Sequence, residues 1–179
     1  MEPNDWQTFV SKPRKKEYMT EWVVEQVRRY PCLDELLAWA SGNGAEAFRA
    51  ARCLEIVYEW DRPLFWKYKS RFLFAWVQAT HRGVRRIYAH LLYRMLEQGE
   101  YFPTREEADL WVRTLCEWSI EPGVKVSELV WYLTILNHLS GQVEWAGDML
   151  WQIIEMNDID CSPGMRALLR RMRKSFKIA

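Results

Sequence analysis

The sequence contains few helix breakers: among 179 residues there are only eight glycines and seven prolines. Both residues are unfavourable inside helices, so a chain that has few of them can form long helices with short connections. Long hydrophobic runs are also missing, since the longest, Phe72 to Val77, has six residues. A helix that spans a bilayer needs about 20 apolar residues. These shortages exclude a transmembrane helix and favour a helical domain.

The N-terminus lacks the apolar core of a signal peptide, because acidic and polar residues occupy positions 1–5. The four cysteines, Cys32, Cys53, Cys116 and Cys161, stand far apart in the sequence. Their spacing fits neither a zinc knuckle nor a redox pair, and unpaired thiols are typical of reducing compartments. We therefore expect a cytoplasmic protein without a cofactor or a bound metal.

Apolar residues are abundant: 49% of the chain is hydrophobic and eleven residues are tryptophan, whereas the net charge is only +1. This balance is typical of a folded chain and not of a disordered one. The length suits one domain with a sizeable core. We predict a single domain over 1–179, with an irregular N-terminal segment over 1–16.

Helical periodicity fills the intervals between the breakers, and no segment of useful length alternates with the period of a strand. Gly42 and Gly99 follow predicted helices and are expected to close them in the left-handed conformation. Thr104 and Glu107 have the spacing of a capping box. The predicted helices span about 17–30, 31–41, 45–60, 63–79, 82–98, 104–119, 124–140, 143–157 and 163–176.

Every second predicted helix carries the same apolar pattern, with apolar residues at i, i+3, i+4, i+7 and i+11. The copies begin at Ala47, Val84, Val126 and Met165, and Asn137 breaks the last place of the third copy. A period of about 40 residues is typical of stacked helical hairpins, each of which buries its apolar face against its neighbours. The pattern predicts an all-α protein built as a right-handed α-α superhelix of about four hairpins. A compact bundle without repeats is the alternative.

A small or aliphatic residue followed by a basic one recurs early in the second helix of these units. In this feature the chain resembles HEAT repeats over about 31–176. It departs from that family in its bulkier aromatics and in lacking, apart from Asp160, the aspartate that usually precedes the pair. The corresponding pairs are Phe48-Arg49, Val84-Arg85, Val124-Lys125 and Met165-Arg166.

The whole chain is similar to a group of small bacterial HEAT-like proteins without an assigned activity, some of which carry the label adenylosuccinate lyase. That enzyme family is much longer and uses a flexible Ser-rich catalytic loop with a lysine and an asparagine. No stretch of this sequence has such a loop. The resemblance therefore implies a helical-repeat fold and does not imply lyase activity.

Catalytic motifs are also missing from the sequence. None of the three histidines has a histidine partner four residues away, and the Gly-rich phosphate and dinucleotide loops and the nucleophile elbow are absent. The adjacent carboxylates Glu106 and Glu107 lie at a predicted helix start, where they complement the positive end of the helix. We therefore predict a protein that is not an enzyme.

Charged residues are segregated along the chain. From Arg62 to Leu96 there are eight basic residues and no acidic one, interleaved with aromatics, a composition that can hold phosphates and stack bases. Helical phase nevertheless places several of the aromatics on one stripe, as is typical of core residues: Phe65, Tyr68, Phe72 and Trp76. This favours the alternative that the basic residues form a solvated face.

The last helix is basic, whereas the hairpin before it is acidic. Residues 126–160 hold six acidic side chains and no lysine or arginine, and residues 161–179 hold six basic ones and no acid. The segment 163–179 is predicted to cap the repeats, because a terminal repeat has one open side that is normally polar. Its charges either pair with the acidic hairpin or contact an acidic partner.

In a HEAT-like stack the second helix of each hairpin lines the concave side, and helical phase selects the residues there that point away from the core. Trp131 stands on an otherwise polar face with Ser127, Thr134 and His138. It is either an interaction anchor, since hot spots are enriched in Trp, Tyr and Arg, or it packs under a neighbouring loop or the N-terminal segment. The candidate interaction surface consists of Arg49, Arg52, Arg86, His90, Tyr93, Glu128, Trp131, His138 and Arg170.

We expect a non-enzymatic module that holds a protein or peptide on its concave face. The alternative is a nucleic-acid-binding protein, because one HEAT-like family excises alkylated bases from DNA with aromatic and acidic residues beside phosphate-binding arginines. Glu128, Trp131, Arg86 and Arg49 match that family in residue type only. The two functions differ in salt dependence, since DNA affinity falls with a log–log slope of about −0.9 per phosphate contact.

Overall fold

The computed structural model describes residue 10 and residues 19–29, 33–157 and 161–175 of the chain. Within these residues the regular structure is α-helical and no β-strand occurs. The prediction of an all-α protein is confirmed. The helices are α1 (Met19–Arg29), α2 (Leu33–Ala40), α3 (Ala45–Trp60), α4 (Arg62–Trp66), α5 (Lys69–Val77), α6 (Arg82–Glu97), α7 (Arg105–Ser119), α8 (Val126–Leu139), α9 (Ala146–Met156) and α10 (Pro163–Ser175).

The predicted helix over 63–79 is two helices in the structure. After α4 the N–H groups of Lys67 and Tyr68 bond to carbonyl oxygens three residues back, which tightens the chain into a turn. Tyr68 then has φ −109° and ψ 7°, outside the helical region, and α5 begins at the next residue. The apolar stripe continues across this turn, so periodicity alone does not reveal the break.

Of the predicted helix-end signals, two are confirmed and one is wrong. Thr104 and Glu107 form the capping box of α7, in which the Glu107 carboxylate accepts the Thr104 N–H at 2.9 Å. Gly99 follows α6 with φ 66°, a conformation that favours glycine. Gly42 does not have a positive φ, because a tight turn directs its N–H to the carbonyl of Trp39.

The chain divides into two compact units, Met1–Leu91 and Leu92–Ala179, and the boundary lies within α6. The single domain over 1–179, with 163–179 as its cap, remains a prediction. The segment 1–16, predicted to be irregular, lies outside the described residues apart from Val10, which is buried.

In the first unit α3 is the central helix, and it packs against α1, α2 and α4. Its predicted apolar pattern forms the core: Ala47, Ala50, Ala51, Leu54 and Tyr58 are all buried. Two alanines in succession make one side of the helix flat, so neighbouring helices can approach it closely. The first copy of the repeated pattern therefore faces the core as predicted.

A chain of aromatic rings fills the rest of this core. The ring centroids lie 5.3 Å apart from Tyr58 to Phe65, 5.3 Å from Phe65 to Phe72 and 5.1 Å from Phe72 to Tyr88, all in edge-to-face geometry. Such pairs stabilise a fold by about 0.5–1.5 kcal/mol each beyond the burial of their surface. The predicted core stripe of α4 and α5 is confirmed at Phe65, Phe72 and Trp76, and Tyr68 is half-buried.

In the second unit α8 is central and packs against α7, α9 and α10. The predicted apolar face of α10 is buried at Met165, Leu168, Leu169 and Met172, as expected of a helix that covers α8. The last residue of that pattern, Phe176, lies outside the described residues.

The buried face of α8 is broader than predicted and turned to one side. Val126 and Val130 of the predicted pattern are only half-buried, whereas Tyr132 and Leu136 are fully buried. Because three helices pack around α8, its core contacts extend beyond one stripe. The third copy of the repeated pattern thus marks the core incompletely.

Among the described cysteines, Cys53 and Cys116 are buried and Cys161 is half-buried, and none of the three forms a disulfide. Burial raises the pKa of the Cys116 thiol to about 11, so this side chain is a neutral core residue at physiological pH. Cys32 lies outside the described residues. Across the described helices, none combines the length and the apolar character that crossing a bilayer requires.

Candidate interaction surface

The nine residues of the predicted surface belong to different units of the chain. The first unit contributes Arg49, Arg52, Arg86 and His90, and the second contributes Tyr93, Glu128, Trp131, His138 and Arg170. The structure therefore supplies two groups of candidate side chains, one in each unit.

In the second unit Tyr93 of α6 and Trp131 of α8 form an aromatic pair. Their ring centroids lie 5.9 Å apart with an interplanar angle of 39°. Both side chains are half-buried, so each ring packs against the other and keeps part of its surface in contact with solvent. The structure shows that Trp131 packs against Tyr93 of a neighbouring helix, and the exposed part of its indole can still serve as an anchor.

Charged groups surround the phenol of Tyr93. Its hydroxyl donates a hydrogen bond to the Glu97 carboxylate at 2.7 Å. This bond, together with burial, raises the pKa of Tyr93 to about 12, although the positive charge of Arg171 on α10 acts in the opposite direction. Tyr93 is therefore a neutral donor with a fixed orientation, placed between an acidic and a basic side chain.

Glu128 does not belong to an exposed surface, contrary to its predicted place opposite the core. It is only 4% exposed, and its carboxylate accepts a hydrogen bond from the N–H of Lys125 at 2.8 Å. A glutamate at the third position of a helix can reach back to the N-terminal amide in this way. Glu128 fixes the start of α8 and is unavailable to a ligand in this conformation.

His138 and Arg170 are exposed, as predicted. His138 lies in the last turn of α8, where a cation complements the negative end of the helix. Arg170 lies on α10 among other exposed basic residues, which we call the α10 basic ridge: Arg166, Arg170, Arg171 and Lys174.

The sequence left open whether the basic last helix pairs with the acidic hairpin, and the α10 basic ridge shows no such pair in the part of the chain that the structure describes. There, no ion pair joins the α10 basic ridge to Glu144, Asp148 or Glu155. Glu155 instead accepts the indole N–H of Trp151 at 2.9 Å. The acidic residues at 158 and 160 lie outside the described residues.

In the first unit Arg52 and His90 meet at a buried carboxylate that the sequence interpretation did not select. Glu55 is 6% exposed; it accepts a hydrogen bond from Arg52 and lies 3.0 Å from Nδ1 of His90. Burial raises the pKa of Glu55, but the bonds from His90 and Arg52 outweigh it, so that pKa lies below its ordinary value. These contacts fix the rotamers of both candidate side chains.

The other two candidates of the first unit also differ in their surroundings. Arg49 is half-buried and donates a hydrogen bond to the backbone carbonyl of Val10 at 2.6 Å, so it ties the N-terminal part of the chain to α3. Arg86 is half-buried on α6, and no hydrogen bond or ion pair joins its side chain to another described residue. Of the four, Arg86 is the residue least engaged in internal contacts.

The basic and aromatic residues from Arg62 onward contact one another within the fold. Arg62 lies over the ring of Tyr58 at 4.9 Å, and Lys69 lies over the ring of Trp66 at 5.3 Å. Arg71 pairs with Asp34. These cation–π and ionic contacts occupy groups that a nucleic acid would need for stacking and for phosphate binding.

Two side chains that take part in these contacts, Glu55 and Glu97, were not among the candidates predicted from the sequence. Glu55 falls next to the apolar pattern of α3, and Glu97 lies near the end of α6. The available signal was spacing, since Glu55 follows Arg52 by three residues and Glu97 follows Tyr93 by four, and side chains at these intervals are neighbours on a helix. Among the described residues no three His, Cys, Asp or Glu side chains are grouped to hold a metal ion.

Replacing Glu55 by glutamine is expected to destabilise the protein by about 1–2 kcal/mol at pH 7. The substitution removes the charged acceptor of the hydrogen bonds from Arg52 and His90. Both side chains are partly buried, so water replaces those bonds only in part. A lowered pKa stabilises the folded state above the unfolded-state pKa of about 4.3, and that stabilisation disappears as the pH falls through the folded-state value. Urea unfolding should therefore show a gap in stability between wild type and Glu55→Gln at pH 7 that narrows as the pH falls below about 4.3.

The matched control for this experiment is Glu46→Gln, which changes an exposed carboxylate on the same helix. It should alter the free energy of unfolding by no more than about 0.3–1 kcal/mol, the contribution of an exposed carboxylate in the first turn of a helix. A gap for Glu55→Gln that persists unchanged at pH 3 would show that side-chain shape, and not charge, accounts for the loss.

Comparison of the chain with protein-family models, curated proteins and solved structures found no match.

Proposed function

We propose that this chain is a non-enzymatic interaction module of the HEAT-like type, a right-handed α-α superhelix of about four hairpins that binds a protein or peptide on its concave face in the cytoplasm. The repeat is supported by burial of the apolar pattern beginning at Ala47, Val84 and Met165 at every described position. Its incomplete burial in α8 is the departure from a regular repeat.

The observation that carries the proposal is the aromatic pair of Tyr93 and Trp131. Two large rings, supported by each other and by the Glu97 hydrogen bond, remain partly exposed on the second unit. Rigid aromatic side chains contribute a large contact area at a low cost in conformational entropy, and they are enriched among interface hot spots. Arg170 and Arg171 of the same unit are exposed and can pair with carboxylates of a partner.

Binding of nucleic acid is the second candidate, and the internal contacts weigh against it. Of the residues that match the alkylated-base-excising family in type, Glu128 is buried in a helix cap and Arg49 is bonded to the chain itself. The rings of Tyr58 and Trp66 are already in cation–π contact with Arg62 and Lys69 of the same chain. These contacts favour a protein partner.

The test is affinity capture from an extract of cells that naturally make the protein, with and without nuclease. Wild type should retain a protein partner after nuclease treatment, and Trp131→Ala should lose it, because truncation of a hot spot costs about 2 kcal/mol or more of binding. The melting temperature of each variant must be measured beside the capture, since removing Trp131 also removes its contact with Tyr93.

Trp151→Ala is the matched control, because Trp151 is a partly exposed tryptophan of the same unit, on α9. This variant should retain the partner. Loss of the partner with nuclease would favour the nucleic-acid function. Equal retention by the Trp131 and Trp151 variants, with unchanged melting temperatures, would remove Trp131 from the binding surface and contradict the proposal.

A further inference from the structure

The α10 basic ridge is a concentrated positive charge on a unit that is otherwise acidic. Helix α10 has five basic residues and no acidic one, whereas residues 92–160 hold thirteen acidic and four basic residues. Arg166, Arg170 and Lys174 are spaced four residues apart, which places them along one side of the helix. Like charges at this spacing repel one another weakly, and a contact with carboxylates would offset that repulsion.

No such contact is present within the described part of the chain. There, no ion pair involves Arg166, Arg170 or Lys174, and all three side chains are exposed. The opposite side of the helix is occupied, since Met165, Leu168, Leu169 and Met172 are buried in the second unit. The apolar face of α10 is therefore not free to enter a membrane, and only its charged face is available to a ligand.

The ridge lies close to the aromatic pair. Helix α10, which carries the ridge, packs against α8, which carries Trp131, and Tyr93 stacks on Trp131. The charge of Arg171 also acts on the Tyr93 phenol. The ridge and the half-exposed rings thus belong to neighbouring helices of the second unit. A ligand that pairs with the ridge can contact the rings as well.

The length of the ridge distinguishes between possible polyanions. From Arg166 to Lys174 it extends about 12 Å, at 1.5 Å per residue. A duplex carries one charge per about 1.7 Å and continues past the ridge, whereas acidic residues outnumber basic ones in the rest of this unit. A short acidic segment can match the three charges and stop there.

Resting on the proposed function, we infer that the α10 basic ridge binds an acidic helical segment of the partner protein. The carboxylates of that segment, one helical turn apart, pair with Arg166, Arg170 and Lys174. An apolar residue beside them packs on the rings of Tyr93 and Trp131.

The inference is tested by fluorescence anisotropy on the full-length protein with three labelled probes. The first is a 15-residue helical peptide with glutamates at i, i+4 and i+8 and an adjacent leucine; the second has glutamines in place of the glutamates; the third is a 15-nucleotide oligothymidine. The acidic peptide should bind at least about tenfold more tightly than the other two, and its affinity should fall as salt is added.

Arg166→Glu combined with Arg170→Glu should weaken binding of the acidic peptide by about tenfold or more. Both residues are exposed, so the melting temperature should not change. The matched control is Arg105→Glu, which reverses an exposed arginine of α7 and should leave the affinity unaltered. Tighter binding of the oligothymidine, equal binding of the two peptides, absence of binding, or no effect of the double reversal would each overturn the inference.

Affinity capture distinguishes failure of this inference from failure of the proposed function. If the Arg166→Glu, Arg170→Glu variant still captures the nuclease-resistant partner that Trp131→Ala loses, the chain is an interaction module but its ridge does not bind an acidic segment. If Trp131→Ala also retains that partner, both are wrong.

Discussion

Removing residues 163–179 is expected to make the protein aggregate, or to unfold it far below the melting temperature of the full chain. The deletion removes α10, whose Met165, Leu168, Leu169 and Met172 are buried and which packs against α8. A large buried side chain costs about 2–5 kcal/mol when it is cut back to alanine. The loss of four such side chains is comparable with the whole stability of a domain, about 5–15 kcal/mol.

Two point variants separate the apolar role of α10 from its charge. Leu169→Ala removes a side chain with no exposed surface and should cost about 2–5 kcal/mol. Arg170→Ala, at the next position, changes an exposed side chain and should cost less than about 0.5 kcal/mol. Thermal and urea unfolding measure both. A truncated protein that stays soluble with an unaltered melting temperature would show that this segment is an arm and not a cap.

Phe72→Ala is expected to destabilise the first unit by about 3–5 kcal/mol. Phe72 is 1% exposed and makes edge-to-face contacts with Phe65 and Tyr88 on its two sides. Its removal leaves a cavity in the middle of the aromatic chain and ends both contacts. Tyr58, at the far end of that chain, keeps its contact with Phe65.

Phe74→Ala is the matched control for this substitution. It deletes the same side chain two residues later on the same helix, where the ring is 66% exposed, and should change stability by less than about 0.5 kcal/mol. Urea denaturation followed by circular dichroism compares the two variants. Similar losses for both would contradict the assignment of Phe72 to the core.

The sequence was informative where local chemistry decides the structure. The capping box at Thr104 and Glu107 and the left-handed Gly99 depend on hydrogen bonds within a few residues, so spacing and residue type sufficed to predict them. The turn at Tyr68 was missed for the same reason, because a break without proline or glycine has no local signal while the apolar stripe continues through it.

The candidate surface was predicted less well because it depends on which neighbours pack against each helix. Helical phase placed Glu128 away from the core, but α8 is surrounded by three helices and the carboxylate turns back to the Lys125 amide. Helical phase likewise gave Arg52 and His90 as exposed partners for a ligand. Their common contact with Glu55 joins residues 35 positions apart, which no local pattern encodes.

By itself the sequence determined that the chain is helical, where most helices begin and end, and which faces of α3, α6 and α10 are buried. Periodicity and capping are properties of short segments, and they act wherever the segment lies. Only the tertiary structure decided that Trp131 stacks on Tyr93, that Glu128 is buried and that no ion pair among the described residues involves Arg166, Arg170 or Lys174. These outcomes depend on distances between residues far apart in the chain, which packing sets and periodicity does not specify.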